Sequence, residues 1–281
     1  MKTSEGVPHL ELVPADQVMF HEHPEKKRTL RLAGRLRDEG RLRNPPVVAK
    51  LDSHRWVLLD GANRVSAMKE MGLSHVPVQV IDYASAAIEL SGWHHLLLES
   101  HELDLRGELM NLPNVHVQPL TPEERAEYLE LRRGYAVLHD ANGRSYGISP
   151  FEGRVELMAW IQTLDKIVAA YEGKTRLERV KVADYENLPD AVRDVSHQLL
   201  LYPVISKVEL LGLVREGIPI PTGLTRHLIP GRALGLNLEL AFLQELKTED
   251  EKKEHFRSFV DSLEMAGRIR YYEESVFILN E

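Results

Sequence analysis

At residues 57–69 the chain reads Val57-Leu58-Leu59-Asp60-Gly61-Ala62-Asn63-Arg64-Val65-Ser66-Ala67-Met68-Lys69, the pattern of a buried strand, a one-glycine turn and a helix. A helix N-terminus in this position presents free backbone N–H groups and the positive end of the helix dipole, and both attract phosphate. Asp60 and Arg64 flank the turn. A carboxylate holds a metal or accepts a proton, and a guanidinium binds phosphate through two hydrogen bonds. An ordinary surface turn between a strand and a helix explains this segment equally well.

The composition is that of a globular protein. The chain has 281 residues, of which 43% are hydrophobic and 28% charged. No run approaches the roughly 18 apolar residues that a membrane span requires, and residues 1–6 lack the apolar core of a signal peptide. We therefore expect a cytoplasmic protein without membrane contact. The absence of cysteine excludes disulfides, thiolate metal sites and a cysteine nucleophile.

The net charge of -8 does not favour nucleic acid as a partner, because nucleic-acid binding depends on Lys and Arg neutralising phosphates. Residues 26–43 depart from this average. They form either a phosphate-facing helix or a solvated helix face. Their basic residues are Lys26, Lys27, Arg28, Arg31, Arg35, Arg37, Arg41 and Arg43.

The order of predicted elements indicates an α+β fold with two domains, residues 1–100 and 101–281. In the first domain a helix start is predicted at 14–16. The strands at 47–49 and 55–59 are predicted to form a first hairpin. Further along the chain we predict a second hairpin, several helices and a proline- and glycine-rich loop over residues 218–232. The first domain has predicted strands at 10–13, 47–49, 55–59 and 76–81 and helices at 25–39 and 62–71. The second has a hairpin within 136–148, helices at 152–171, 205–215 and 249–266, and a strand at 276–279.

Three further segments carry side chains suited to chemistry. Glu22 lies between two histidines in Phe20-His21-Glu22-His23-Pro24, where a carboxylate would orient and deprotonate a hydroxyl acceptor. The second segment is Trp93-His94-His95, and the third is the loop that carries Thr225, Arg226 and Arg232. Taken alone, each also fits a structural interpretation: a polar loop, a core tryptophan with surface histidines, and surface arginines. There is no Gly-x-x-x-x-Gly-Lys-Ser/Thr loop.

The N-terminal part resembles the ParB/sulfiredoxin superfamily of nucleotide-binding domains. The resemblance implies that residues 1–100 form such a domain, packed against a larger α/β domain of residues 101–281. The sulfiredoxin branch requires a catalytic cysteine, and the partition-protein branch requires a second arginine-rich box and a helix-turn-helix domain; we find none of these. The matching segments are Leu12-Val13-Pro14, Asn44-Pro45-Pro46-Val47-Val48, Leu59-Asp60-Gly61-Ala62-Asn63-Arg64 and Val76-Pro77-Val78-Gln79.

Nearly the whole chain resembles a third branch of the superfamily, the free L-serine kinases. Its closing segment resembles the members of this branch that act in siderophore pathways. This resemblance implies phosphoryl transfer from ATP or ADP to the hydroxyl of free L-serine, giving O-phospho-L-serine, with Mg²⁺ as cofactor. Four segments carry it: His21-Glu22, Trp93-His94-His95, Gly223-Leu224-Thr225-Arg226 with Gly231-Arg232, and Arg270-Tyr271-Tyr272-Glu273-Glu274-Ser275-Val276-Phe277.

The resemblance also implies roles for single residues. Glu22 and Asp60 are the expected catalytic carboxylates, and Asp60 also holds the metal. The expected phosphate-binding residues are Gly61, Ala62, Asn63 and Arg64. The expected serine-binding residues are Trp93, His95, Thr225, Arg226 and Arg232, in a closed site between two packed domains.

Asn63 stands where the family has histidine. An asparagine donates a hydrogen bond to phosphate but carries no charge, which leaves the choice of nucleotide open. Asn63 and the basic segment 26–43 also favour an alternative function. In this alternative the protein is a nucleotide-gated regulator that binds DNA or a protein partner and lacks kinase activity.

Overall fold

A computed structural model describes residues 7–151, 153, 155–181, 197–245 and 248–272. The strands are β1 (Leu10–Pro14), β2 (Val18–Phe20), β3 (Arg41–Leu42), β4 (Val47–Lys50), β5 (Trp56–Asp60), β6 (His75–Ile81), β7 (Glu89–Gly92), β8 (His94–Leu98), β9 (His116–Leu120), β10 (Ala136–His139), β11 (Ser145–Ser149), β12 (Arg176–Val180), β13 (Gln198–Leu201), β14 (Thr225–Leu228) and β15 (Leu238–Glu239). The helices are α1 (Lys26–Glu39), α2 (Ala62–Glu70), α3 (Leu105–Met110), α4 (Pro122–Glu130), α5 (Leu157–Ala169), α6 (Lys207–Arg215), α7 (Ala241–Gln244) and α8 (Glu249–Met265).

The chain divides into two compact units. Unit 1 comprises residues 1–89 and 227–281, and unit 2 comprises residues 90–226. This division differs from the predicted domains 1–100 and 101–281, because the C-terminal part of the chain packs on the N-terminal part. β15 pairs with β3, and α8 contacts β1. No composition change or linker in the sequence marks this return.

Unit 1 is built on a five-stranded mixed sheet in the order β1-β6-β4-β5-β2. β4 pairs antiparallel with β5 and parallel with β6, and β2 pairs parallel with β5. The core includes Leu58 of β5, Val65 of α2 and Phe256 of α8, all nearly inaccessible to solvent. Burial of these apolar side chains stabilises the arrangement that aims the end of β5 into α2.

Most predicted elements of unit 1 are confirmed within one or two residues. The predicted helix start at 14–16 is wrong in extent, because it is a single 3₁₀ turn, Ala15–Gln17, followed by β2. A strand of three residues is too short to show a two-residue hydrophobic period. Gly40 ends α1 in the left-handed conformation, φ 63°, where glycine carries no steric penalty. The predicted strand at 276–279 lies outside the described residues.

Unit 2 contains a six-stranded sheet in the order β12-β8-β13-β10-β11-β9. Each of these five pairings is antiparallel, so unit 2 is α+β and not α/β as the resemblance implied for residues 101–281. The predicted hairpin at 136–148 is confirmed as β10 and β11, and the helix predicted at 152–171 spans Leu157–Ala169. The loop 218–232 contains the strand β14. No helix among the described residues is long and apolar enough to cross a membrane.

Candidate active site

The end of β5 and the start of α2 form the turn predicted to bind phosphate. Gly61 is the N-cap of α2 at φ 95°, no side chain caps the helix, and its first turn contains no acidic residue. A Cβ at this position would lie 3.0 Å from both Pro46 Cβ and Arg64 Nε. Glycine is therefore required here, and the uncapped N-terminus of α2 retains its positive end for an anion.

Two arginines converge on one oxygen of Asp60. Arg64 Nη2 donates to Asp60 Oδ2 at 2.5 Å, and Arg232 Nη2 donates to the same oxygen. Arg64 Nη1 also donates to the carbonyl oxygens of Asn44 and Pro45, at 2.8 and 3.1 Å. Arg64 thus fastens the segment before β4 to the turn, and most of its donors are occupied by the protein.

Arg232, which is one of the predicted serine-binding residues, lies at the turn between β5 and α2. Its guanidinium lies against Asp60, beside the phosphate turn of unit 1. The three side chains are 20% to 37% exposed, so water reaches the cluster and screens its charges. The cluster brings two cations to the place where the phosphates of a nucleotide are predicted to bind.

The side chain of Asn63 accepts two hydrogen bonds from α1 and its N-cap that the sequence does not predict. Its Oδ1 accepts a hydrogen bond from Glu25 N at 2.9 Å and another from Thr29 Oγ1 at 3.1 Å. Glu25 is the N-cap of α1 and has no side-chain cap of its own, so Asn63 supplies an acceptor at the start of that helix. Since Oδ1 is used, the amide nitrogen is the group that Asn63 can offer to a phosphate.

Glu22 follows β2 in unit 1, on a segment fixed by its neighbour. The buried ring of His21 bonds through Nδ1 to the carbonyl oxygen of Leu58 on β5. A carbonyl only accepts, so Nδ1 carries the proton. The His21 ring also meets the ring of His227 edge-on at 5.1 Å between centroids, and His227 Nε2 bonds to Tyr83 Oη at 2.8 Å. Glu22 itself is half-buried.

Unit 2 brings together the other predicted residues where β7 and β8 run beside the segment that leads into β14. Trp93 N donates to Leu224 O at 3.0 Å, and the Arg226 guanidinium stacks over the Trp93 ring at 4.8 Å. This cation–π contact orients Arg226 while leaving its edge donors available for a carboxylate or phosphate. Thr225 is buried beside it.

His95 is buried and uses both ring nitrogens within unit 2. Its Nε2 bonds to Gly223 O at 2.9 Å, and its Nδ1 bonds to Tyr171 Oη at 2.6 Å. The carbonyl fixes the proton on Nε2, so Nδ1 accepts from Tyr171, whose oxygen in turn accepts from Tyr202 at 2.5 Å. His95 therefore holds the backbone at Gly223, next to Thr225.

The environment keeps His95 neutral. Burial away from water lowers the pKa of the His95 ring to about 4, opposed only by the hydrogen bond to Gly223. Burial also raises the pKa of Tyr171 well above its usual value. The chain of hydrogen bonds is thus uncharged near neutral pH, and its direction is fixed by the carbonyl at one end.

Asp60 is the residue suited to a metal. Among the described residues, no group of three or more His, Asp or Glu side chains is placed to hold a metal by itself. Mg²⁺ bound with a nucleotide retains several waters and takes one or two carboxylates plus phosphate oxygens. Both arginine bonds fall on Asp60 Oδ2, so Oδ1 is the oxygen left for such an ion. A single carboxylate at the phosphate turn fits Mg²⁺–nucleotide.

The structure distributes the predicted residues between the two units. Several residues that support them were missed by sequence reasoning, because their roles depend on contacts between distant segments. Unit 1 holds Glu22, Asp60, Gly61, Ala62, Asn63, Arg64 and Arg232, and unit 2 holds Trp93, His95, Thr225 and Arg226. The missed residues are Asn44, Gln79, Tyr171 and Tyr202.

The curated proteins that match this sequence have the same stated activity. No protein-family model matches the sequence. The chain is 27% identical over 274 residues to the ATP-dependent L-serine kinase SbnI of Staphylococcus aureus, covering 97% of this chain and 98% of that protein. It is 24% identical over 242 residues to an ATP-dependent L-serine kinase of Staphylothermus marinus, covering 82% and 90%.

Solved structures share the fold. SbnI with a C-terminal truncation, from Staphylococcus aureus, matches with a TM-score of 0.73 at 24% identity, over 90% of this chain and 96% of that chain. A free serine kinase variant in complex with ADP matches with a TM-score of 0.68 at 18% identity, over 86% and 98%. The chain therefore shares the mixed α and β fold of these solved structures. The sequence is thus similar over nearly its full length to ATP-dependent L-serine kinases.

Proposed function

We propose that this protein is an ATP-dependent kinase that phosphorylates the hydroxyl of free L-serine and releases O-phospho-L-serine and ADP. The observation that carries the proposal is the uncapped turn at Gly61, with Asp60 beside it and Arg64 and Arg232 around it. The curated relatives are ATP-dependent L-serine kinases, which favours ATP over ADP as donor and a kinase over a DNA-binding regulator.

The nucleotide phosphates bind at the N-terminus of α2. The backbone of Gly61 and Ala62 and the amide nitrogen of Asn63 face the phosphates, and Arg64 and Arg232 supply positive charge. Asp60 holds Mg²⁺, which neutralises charge on the phosphates when it is bound. Unit 1 is accordingly the ParB/sulfiredoxin-like nucleotide-binding domain, with the boundaries 1–89 and 227–281 in place of residues 1–100.

Glu22 is the catalytic carboxylate. In the transfer the serine oxygen forms a bond to the γ-phosphorus, the bond from that phosphorus to the β,γ-bridging oxygen breaks, and ADP leaves. The hydroxyl proton passes to the Glu22 carboxylate. The bond of His21 to the β5 carbonyl oxygen holds this segment in place.

Trp93, Thr225 and Arg226 bind the amino acid. Arg226, oriented by the Trp93 ring, pairs with the serine carboxylate, and the Thr225 hydroxyl offers a further hydrogen bond. His95 acts through the backbone at Gly223, because both its nitrogens are bonded within the protein. Serine is small, so its selection depends on such converging polar groups.

The protein acts in the cytoplasm.

Replacement of one carboxylate tests the assignment. Glu22→Gln removes the proton acceptor but keeps the size of the side chain, so we expect serine phosphorylation to fall at least about a hundredfold while ATP binding by calorimetry stays within twofold. Glu70→Gln, at the exposed end of α2, is the matched control and should phosphorylate serine at the wild-type rate. A Glu22→Gln enzyme with wild-type turnover would refute the role.

A further inference from the structure

Gln79 is a buried polar residue in β6 that is not among the residues of the proposed nucleotide and serine sites. It is 4% exposed. Its backbone N donates to Pro46 O at 2.8 Å. Val47 of β4 pairs with both Gln79 and Asp60, so Gln79 lies two strands away from the carboxylate at the phosphate turn. Burying a carboxamide is unfavourable unless both of its polar ends are bonded.

Both ends of the Gln79 side chain bond to the segment that carries Arg232. Nε2 donates to Gly231 O at 2.8 Å, and Oε1 accepts from Ala233 N at 2.8 Å. The carboxamide therefore holds the backbone on either side of Arg232, as a neighbouring strand would.

Apolar packing contributes little to the segment 230–235. Gly231, Arg232 and Gly235 are exposed, and Leu234 is 42% exposed. Besides Gln79, the segment bonds to Asn44, whose Oδ1 accepts from Gly235 N at 2.8 Å. An exposed segment with little apolar burial depends on such hydrogen bonds to keep one conformation.

We propose that Gln79 is a positioning residue that holds the Arg232 guanidinium at Asp60, and so prepares a cation for the phosphates of the nucleotide. This inference rests on the proposed nucleotide site. Gln79 touches neither nucleotide nor serine. Its effect passes through Arg232, and it is lost when the arginine is absent.

A double-mutant cycle tests the inference through ATP binding. Gln79→Met keeps the length of the side chain and removes both hydrogen bonds, and Arg232→Ala removes the cation. With Mg²⁺ present, we expect Gln79→Met to raise the Kd for ATP about tenfold in the wild-type background, because the cation loses its fixed position. In the Arg232→Ala background the same change should alter Kd less than about twofold.

Two further variants separate positioning from stability. Gln79→Glu keeps the acceptor for Ala233 N and loses the donor to Gly231 O, and it supplies the cycle if Gln79→Met does not fold. Gln198→Leu removes a second buried carboxamide, which donates to Ser100 O and Leu103 O in unit 2; it should lower Tm without changing Kd for ATP.

Equal effects of the Gln79 change in both backgrounds, or an unchanged Kd in the wild-type background, would overturn the inference. Binding of ATP without serine phosphorylation would refute the proposed kinase and leave this cycle valid. A wild-type protein that binds no ATP would overturn both.

Discussion

The buried imidazole of His95 makes the stability of the protein depend on pH in a calculable way. Burial lowers the His95 pKa from 6.5 to about 4. The unfolded chain therefore takes up a proton at pH values where the folded protein does not. The contribution of the neutral His95 ring to the unfolding free energy is therefore complete above pH 6.5 and is lost as the pH falls toward 4. A pH of 5 lies 1.5 pH units below the pKa of histidine in the unfolded chain. At this pH the unfolding free energy is therefore about 2 kcal/mol lower than at neutral pH.

His95→Gln isolates this contribution. A glutamine offers an acceptor for Tyr171 and a donor for Gly223 but does not titrate. We expect the wild-type protein to lose about 2 kcal/mol more of its unfolding free energy between pH 7 and 5 than the variant loses. Burial also lowers the pKa of His94 to about 4, so both proteins keep the pH dependence that His94 contributes.

Urea unfolding at pH 7 and pH 5, followed by tryptophan fluorescence, provides the measurement. Each protein serves as its own reference, because only the change between the two pH values is compared. If the wild-type protein and His95→Gln lose the same free energy, then His95 is not a neutral, buried group, and the hydrogen-bonded chain through Tyr171 is incorrect.

Substitutions at Gly61 and Gly223 give two further predictions, and Gly72 provides the control for the first. Gly61→Ala places a Cβ 3.0 Å from Arg64 Nε at φ 95°, so we expect about 1–3 kcal/mol lower stability and weaker ATP binding by calorimetry. Gly72→Ala, at φ 75° with no atom within 4 Å, carries the strain without the clash and should bind ATP as the wild type does; equal affinities of the two variants would contradict the expectation. In Gly223→Ala the new Cβ would overlap Arg179 Nε at a φ of 77°, so in steady-state kinetics the KM for serine should rise about tenfold while the KM for ATP stays unchanged; a rise in the KM for ATP alone would contradict it.

The local parts of the fold followed from sequence patterns. The turn at Asp60 and Gly61, with its strand and helix, was predicted within one residue at each end, because a hydrophobic run, a glycine and a helical period all lie within thirteen residues. β2 was missed because three residues carry too little pattern. The domain boundaries followed from no local signal, since they depend on the pairing of β15 with β3.

The candidate site shows the same limit. Asp60 and Arg64 are four residues apart, and their pairing is a property of the first turn of α2. Arg232 is 172 residues from Asp60 in sequence, and no period or spacing reveals that contact. His95 was predicted to contact serine, but its bonds to Tyr171 and Gly223 require the three-dimensional arrangement. Sequence patterns thus select candidate site residues, but they do not show which distant residues those side chains contact.

The most direct test of the central claim is phosphorus NMR of the purified protein with Mg²⁺ and L-serine, run once with ATP and once with ADP. We predict that a signal of O-phospho-L-serine grows with ATP, together with the signals of ADP. If protein that binds ATP by calorimetry forms no O-phospho-L-serine with either nucleotide, the protein is not a free serine kinase.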